Sequence, residues 1–155
     1  MPPIVFNADN EAATAALGHA LADVLPAGTT VALCGTLGAG KTRLVQAIAE
    51  ALGVNRRDVV SPTFVLIQEY RGRRMIYHID AYRLHDDDEF QQLGPDEYFE
   101  SDGLVLIEWA DRVAGSLPRE YVEIRIAVTG VESRRFEIRA IGGGYEEALR
   151  RLALE

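Results

Sequence analysis

The segment Gly35-Thr36-Leu37-Gly38-Ala39-Gly40-Lys41-Thr42 follows the pattern G-x-x-x-x-G-K-[ST]. Phosphate oxygens that meet several backbone N–H groups at close range need a bend free of bulky side chains, and a helix start whose dipole favours an anion. Gly35, Gly38, Ala39 and Gly40 suit that bend. Lys41 can reach β- and γ-phosphates, and the Thr42 hydroxyl can ligate Mg²⁺. Such a site also needs a carboxylate near the metal, usually at the end of a neighbouring buried strand. Glu108, after Leu104-Val105-Leu106-Ile107, and Asp80, after Met75 to Ile79, both stand at strand ends. A carboxylate there faces the edge where open α/β sheets bind ligands, although it can also simply mark where a strand meets solvent. Ser61-Pro62-Thr63-Phe64 is a rigid polar turn whose hydroxyls could sense a γ-phosphate; an ordinary turn reads the same way.

Other side chains with chemical potential have plainer readings. His78 reads as a packed histidine within a strand, and Trp109 as core, although it directly follows a candidate metal ligand. Cys34 abuts the glycine loop from a buried strand and reads as core. Arg71, Arg73 and Arg74 read as a solvated hairpin tip or a local contact for RNA or an acidic partner.

The elements that must position these residues are visible in the pattern. Ile4-Val5-Phe6 predicts a short strand, followed by a helix from about 10 to 25 with Leu17, Leu21, Val24 and Leu25 on one face. Thr30 to Cys34 is a continuous apolar run, as expected of a strand buried on both faces. The glycine loop follows, then a helix from about 41 to 52 closed by Gly53. Two strands, Phe64 to Tyr70 and Arg74 to Ile79, flank a turn at Arg71-Gly72-Arg73. Asp86 to Glu89 begins a helix, and acidic side chains suit its N-terminus. Leu104 to Ile107 is a second fully buried strand. Tyr121 to Val128 and Arg135 to Ile141 alternate and should pair, and 145 to 153 forms a last helix. These elements predict an α/β, P-loop NTPase-like three-layer helix–sheet–helix sandwich. Its central sheet is expected to be mixed and largely parallel, with added antiparallel strands.

The length of 155 residues fits a single domain spanning 1–155, and 48% hydrophobic residues supply a core. No run of about 18 apolar residues occurs, so no membrane span is expected. The N-terminus lacks the features of a signal peptide, and the single cysteine suits a reducing cytoplasm. A net charge of −8 argues against a protein that binds RNA or DNA alone through a broad basic surface. The guanine signature Asn-Lys-x-Asp and the Asp-x-x-Gly motif are missing, so ATP is the expected nucleotide. An ATPase, a small-molecule kinase and a non-hydrolysing nucleotide sensor all remain consistent with the loop. A kinase would need an arginine-bearing lid and an acceptor pocket, for which the chain leaves little room.

Several motifs in order are more specific than the glycine loop. They are Leu-Gly-Ala-Gly-Lys-Thr (37–42), Ser-Pro-Thr-Phe (61–64), Tyr-His-Ile-Asp-Ala-Tyr-Arg-Leu (77–84), Leu93-Gly94 with Asp96-Glu97-Tyr98-Phe99, and Ile-Glu-Trp (107–109). Together they resemble the TsaE (YjeE) family of tRNA threonylcarbamoyladenosine synthesis, over about residues 4 to 141. The resemblance implies slow, Mg²⁺-dependent ATP hydrolysis in a complex with TsaB and TsaD, with tRNA met through the complex. It implies that Gly38 to Thr42 hold the phosphates and that Thr42 and Glu108 bind Mg²⁺, with Asp80 near the metal and γ-phosphate. It further implies a switch-like Thr63, the nucleotide base near Glu11 and Thr14, and an approach by Arg134 from the late strands. Thr36 stands where the family often has aspartate, and Ala110 where it often has proline. Neither departure removes a phosphate or metal group.

Overall fold

The computed structural model describes residues 1–36, 38–59 and 67–152. The turn Ser61-Pro62-Thr63-Phe64, Leu37 and the end of the last expected helix lie outside the described residues.

The described elements, in chain order, are β1 (Ile4–Ala8), α1 (Glu11–Val24), β2 (Thr30–Gly35), α2 (Lys41–Ala51), β3 (Ile67–Arg71), β4 (Met75–Asp80), α3 (Asp87–Gln91), α4 (Pro95–Phe99), β5 (Leu104–Glu108), β6 (Tyr121–Val128), β7 (Arg134–Ile141) and α5 (Glu146–Arg150). Short 3-10 turns lie at Arg56–Asp58 and Ala110–Ser116. Among the described residues, the strands form one seven-stranded sheet in the order β1-β7-β6-β2-β5-β4-β3.

Parallel pairing is confined to the middle. β2 lies between β6 and β5, and β4 lies on the far side of β5, all parallel. The pairs β1–β7, β6–β7 and β3–β4 are antiparallel. The sheet is mixed, as expected, but antiparallel pairing takes a larger share than a largely parallel sheet would have. The reason is local: β3–β4 and β6–β7 are joined by short turns, and a short turn can only return the chain antiparallel.

Alternation along the central strands sends side chains to two separate cores. Val31, Leu33, Leu104 and Leu106 join Leu17, Leu21, Leu44 and Ile48 of α1 and α2 on one face. Ala32, Cys34, Val105 and Ile107 join Phe90, Ala110 and Val113 on the other. Helical layers therefore cover both faces, which is why β2 and β5 read as continuous apolar runs.

α1 and α2 approach closely at Gly18. A Cβ placed there would come within 2.4 Å of the Ala47 Cβ, so only glycine lets the two helices meet at this crossing. Asn10 caps α1 by accepting from the Ala13 N–H at 2.9 Å. Asp86 caps α3 by accepting from Glu89 at 3.0 Å.

Arg71 and Arg73 are exposed at the hairpin, as a solvated tip predicts, whereas Arg74 is half-buried. The turn comprises Gly72, Arg73 and Arg74, one residue later than predicted. Arg74 Nη1 and Nη2 donate to the carbonyls of Leu25 and Pro26 at 2.6 and 2.7 Å, and Arg73 Nη2 donates to Ala51. Both cations thus serve carbonyls at the C-terminal ends of α1 and α2, where the helix dipoles attract positive charge. The expected helix over 145–153 is shorter within the described residues, spanning Glu146–Arg150.

Candidate functional site

The glycine loop joins the C-terminal end of β2 to the start of α2. Gly38 and Gly40 have φ of 77° and 108°, a left-handed bend open to glycine at little cost. Gly40 is the N-cap of α2 and offers no side-chain cap. The first-turn N–H groups of Lys41, Thr42 and Arg43 therefore have no partner within the helix, which leaves them available to an external acceptor. The loop is braced by the Ala39 N–H, which donates to Thr36 O at 3.1 Å. Gly35 continues β2, and its register partner is Ile126 of β6.

Lys41 is buried, and its ammonium is turned back onto the loop. Nζ donates to Gly35 O and Thr36 O at 2.8 Å each. Burial holds its pKa below the ordinary lysine value, while the charges of Glu108, Asp111 and Asp80 push it back up. The Trp109 ring covers it, with Nζ 4.0 Å from the centroid. Trp109 has a left-handed backbone, φ 58°, the only described non-glycine residue with positive φ. Such conformations cost about 1–3 kcal/mol and cluster at functional sites. The bend lays the ring against Tyr82, at 4.9 Å between centroids. Trp109 therefore contacts the loop lysine as well as packing partly against the second core.

The two strand-end carboxylates are neighbours. Asp80 and Glu108 are register partners across the β4–β5 ladder, and Glu108 also stands beside Leu33 of β2. Glu108 is buried and receives the Thr42 hydroxyl, which lies 2.8 Å from Oε1 and 2.9 Å from Oε2. Glu108 Oε2 is also 2.5 Å from His78 Nε2. Asp80 is buried too and accepts the Tyr82 N–H at 2.9 Å. Four parallel strands bring these ends to one edge of the sheet, and α2 carries Thr42 to the same place.

A third group lies on the other side of the loop. Glu11, Thr14, Gly40, Arg43, Val131, Glu132, Arg134 and Phe136 line a cavity of about 90 Å³. Arg134 Nε donates to Ala39 O at 2.9 Å, and Nη1 donates to Ser133 O at 2.8 Å. This pins the glycine loop to the start of β7. Arg43 Nε and Nη1 are buried without a hydrogen-bond partner among the described residues. Cys34, behind the loop, is pushed up to about 11, mainly by burial, so its thiol stays protonated near neutral pH.

The structure therefore brings together Gly35, Gly38, Ala39, Gly40, Lys41, Thr42, Asp80 and Glu108, with Glu11, Thr14 and Arg134 beside them. Thr63 lies outside the described residues. Two further residues adjoin the site: His78, packed within a strand as expected and in contact with Glu108, and Arg43, which lines the neighbouring cavity. The signal for His78 was its position two residues before Asp80, which in a strand means the same face. Arg43 carried no comparable signal beyond its place after Thr42.

The assembly combines an uncapped helix start, a lysine and a hydroxyl–carboxylate pair. That is chemistry for a phosphorylated ligand with a divalent cation. Among the described residues, no group of three or more His, Cys, Asp or Glu could hold a metal by itself. A hydroxyl and one or two carboxylates instead match Mg²⁺, which keeps waters and shares substrate phosphates.

This geometry defines an α/β protein with a glycine-rich strand-to-helix loop at the C-terminal edge of a mixed sheet. The family model described as threonylcarbamoyl adenosine biosynthesis protein TsaE matches residues 8–136, and the chain belongs to the TsaE family. The tRNA threonylcarbamoyladenosine biosynthesis protein TsaE of Bacillus subtilis is 39% identical over 147 residues, covering 94% of this chain and 91% of that protein. The protein of the same description from Nostoc sp. is 40% identical over 139 residues, covering 86% and 83%. The crystal structure of Bacillus subtilis YdiB superposes with a TM-score of 0.82 at 33% identity, covering 97% of this chain and 94% of that one.

Proposed function

We propose that this chain is a single-domain P-loop NTPase-like protein that binds ATP with Mg²⁺ and hydrolyses it slowly to ADP and phosphate. In this reading it supports threonylcarbamoyl modification of tRNA adenosine beside the anticodon. The observation that carries the reading is the contact of Thr42 with Glu108. It joins the helix start that would face phosphates to the strand end that would hold the metal, within reach of Lys41.

The residues divide the work. Backbone N–H groups from Gly38 to Thr42 would cradle the phosphates. ATP would draw Lys41 out of its bonds to Gly35 and Thr36 and place its ammonium on the β- and γ-phosphates. Thr42 and Glu108 would hold Mg²⁺, which would supply charge neutralisation of the phosphate oxygens. Asp80, across the ladder from Glu108, would lie near the metal and the γ-phosphate, and Thr63 would respond to the γ-phosphate. Glu11, Thr14 and Arg134 would border the nucleoside, and the unpartnered Arg43 nitrogens support a polar ligand in that cavity.

TsaB and TsaD are the proposed partners, as the family resemblance implies, with tRNA engaged through the complex. No described helix is long and apolar enough to cross a membrane, and the proposed workplace is the cytoplasm.

The test is phosphate release from Mg²⁺–ATP with no acceptor present, with and without the TsaB–TsaD pair. The expected result is slow release that the pair alters. Lys41→Ala should weaken ATP binding by about 10- to 100-fold, the worth of charge-assisted hydrogen bonds to phosphate. Phosphoryl transfer to a small molecule in place of release would make the protein a kinase. Tight binding with no release under any condition would make it a nucleotide sensor.

A further inference from the structure

The side of Glu108 away from the phosphate loop is occupied by a row of polar groups, buried at His78 and Tyr70, that the proposed reaction does not use. His78 has no exposed surface, and its Nε2 lies 2.5 Å from Glu108 Oε2. On the other side of the ring, Nδ1 lies 3.0 Å from the Tyr70 hydroxyl, which in turn lies 2.7 Å from Gln68 Oε1. The order is set by two ladders. Gln68 pairs with His78 across β3–β4, and His78 pairs with Leu106 across β4–β5. Glu108 is therefore the diagonal neighbour of His78 on the same sheet face, a distance a long side chain can span.

An ionised carboxylate can only accept, so the hydrogen between Nε2 and Glu108 sits on the imidazole. Thr42 has one hydroxyl proton, and its oxygen has other work if it ligates a cation. His78 is the partner of Glu108 that need not change when a cation arrives. With both ring nitrogens in contact, the imidazole plane is pinned, and so is the carboxylate it holds.

We infer that His78 is a positioning residue for the metal edge of the site: it holds one Glu108 oxygen so that the other oxygen and the Thr42 hydroxyl face the phosphate loop, with Tyr70 fixing the ring from behind. This rests on the reading that Glu108 takes Mg²⁺. Partners of this kind around a metal ligand typically change metal affinity by about 10- to 100-fold.

The experiment uses the full chain with saturating ADP and Mn²⁺ as probe, following free Mn²⁺ by electron paramagnetic resonance. His78→Gln places an amide N–H near the position of Nε2, whereas His78→Asn places one only near Nδ1. We expect His78→Asn to weaken Mn²⁺ binding by about 10- to 100-fold, with metal-free ADP affinity unchanged, and His78→Gln to recover most of the loss. Wild-type Mn²⁺ affinity in a folded His78→Asn protein would overturn the inference. So would equal Mn²⁺ loss in the Asn and Gln variants in step with lost thermal stability, since that is a packing role alone. If His78→Asn does not fold, Tyr70→Phe decides: a smaller weakening supports the inference, and no change overturns it. Glu108→Gln separates the two levels, because Mn²⁺ affinity unchanged in that variant would remove the parent reading whatever His78 does.

Discussion

At the scale of single residues, the site depends on charges held away from water. Lys41 combines burial, two carbonyl acceptors and the Trp109 face. Desolvation lowers its pKa, so it gives up its proton at a lower pH than ordinary lysine. Phosphate needs the protonated form. ATP affinity should therefore be full on the acid side and decline as pH rises, starting below the ordinary value of about 10.4. A calorimetric titration series across alkaline pH would measure this, and a flat profile up to that value would contradict it. Glu108 makes a different prediction. Glu108→Ala should leave nucleotide affinity largely intact while reducing Mg²⁺-dependent phosphate release by at least the 10- to 100-fold or so that weaker perturbations of metal sites cost. Wild-type turnover in that variant would remove Glu108 from the metal site.

At the scale of elements, the position of α2 matters most, because it carries both Lys41 and Thr42. α2 is seated by β2 at its start and by α1 along its flank, and the α1 contact narrows to Gly18 against Ala47. Gly18→Val should push the helices apart and cost about 1–3 kcal/mol, the usual range for overpacking. Urea unfolding measures this directly. Pairing Gly18→Ala with Ala47→Gly should recover part of the cost of Gly18→Ala alone, because it removes the Ala47 methyl, the nearest group that the new Cβ would meet. No recovery would mean that the Ala47 and Ile48 backbone sets the limit. The strained Trp109 bend belongs to this scale as well. It follows a strand whose register is set by β2 and β4, so the ring is delivered over Lys41 by the ladder and the turn together.

For the whole molecule, charge separates the proposed partners from the proposed substrate. A net charge of −8 opposes the phosphate backbone of tRNA. The chain alone should bind tRNA no tighter than the weak end of non-specific association, about 10⁻⁴ M at physiological salt. Fluorescence anisotropy with labelled tRNA measures this. Tight, salt-sensitive binding by the isolated chain would contradict the view that tRNA is met through partners. The molecule is also two-cored: one set of apolar contacts seats α1 and α2, the second of which follows the glycine loop, and the other supports the turn after Glu108.

The glycine loop, Lys41, Thr42 and the two strand-end carboxylates were legible from residue order alone, because each depends on local rules. A loop must bend where side chains are small, a helix must start where its cap allows, and a polar residue after a buried apolar strand must lie at the sheet edge. The strands and longer helices followed from periodicity for the same reason. Contacts between residues distant in the chain were not legible. The role of Arg73 and Arg74 at two helix ends, the ring of Trp109 over Lys41, and the row Gln68–Tyr70–His78–Glu108 depend on which strands lie side by side. Local sequence determines which groups face a common edge; only strand order and register decide which of them touch, because pairing is settled by burial over the whole sheet.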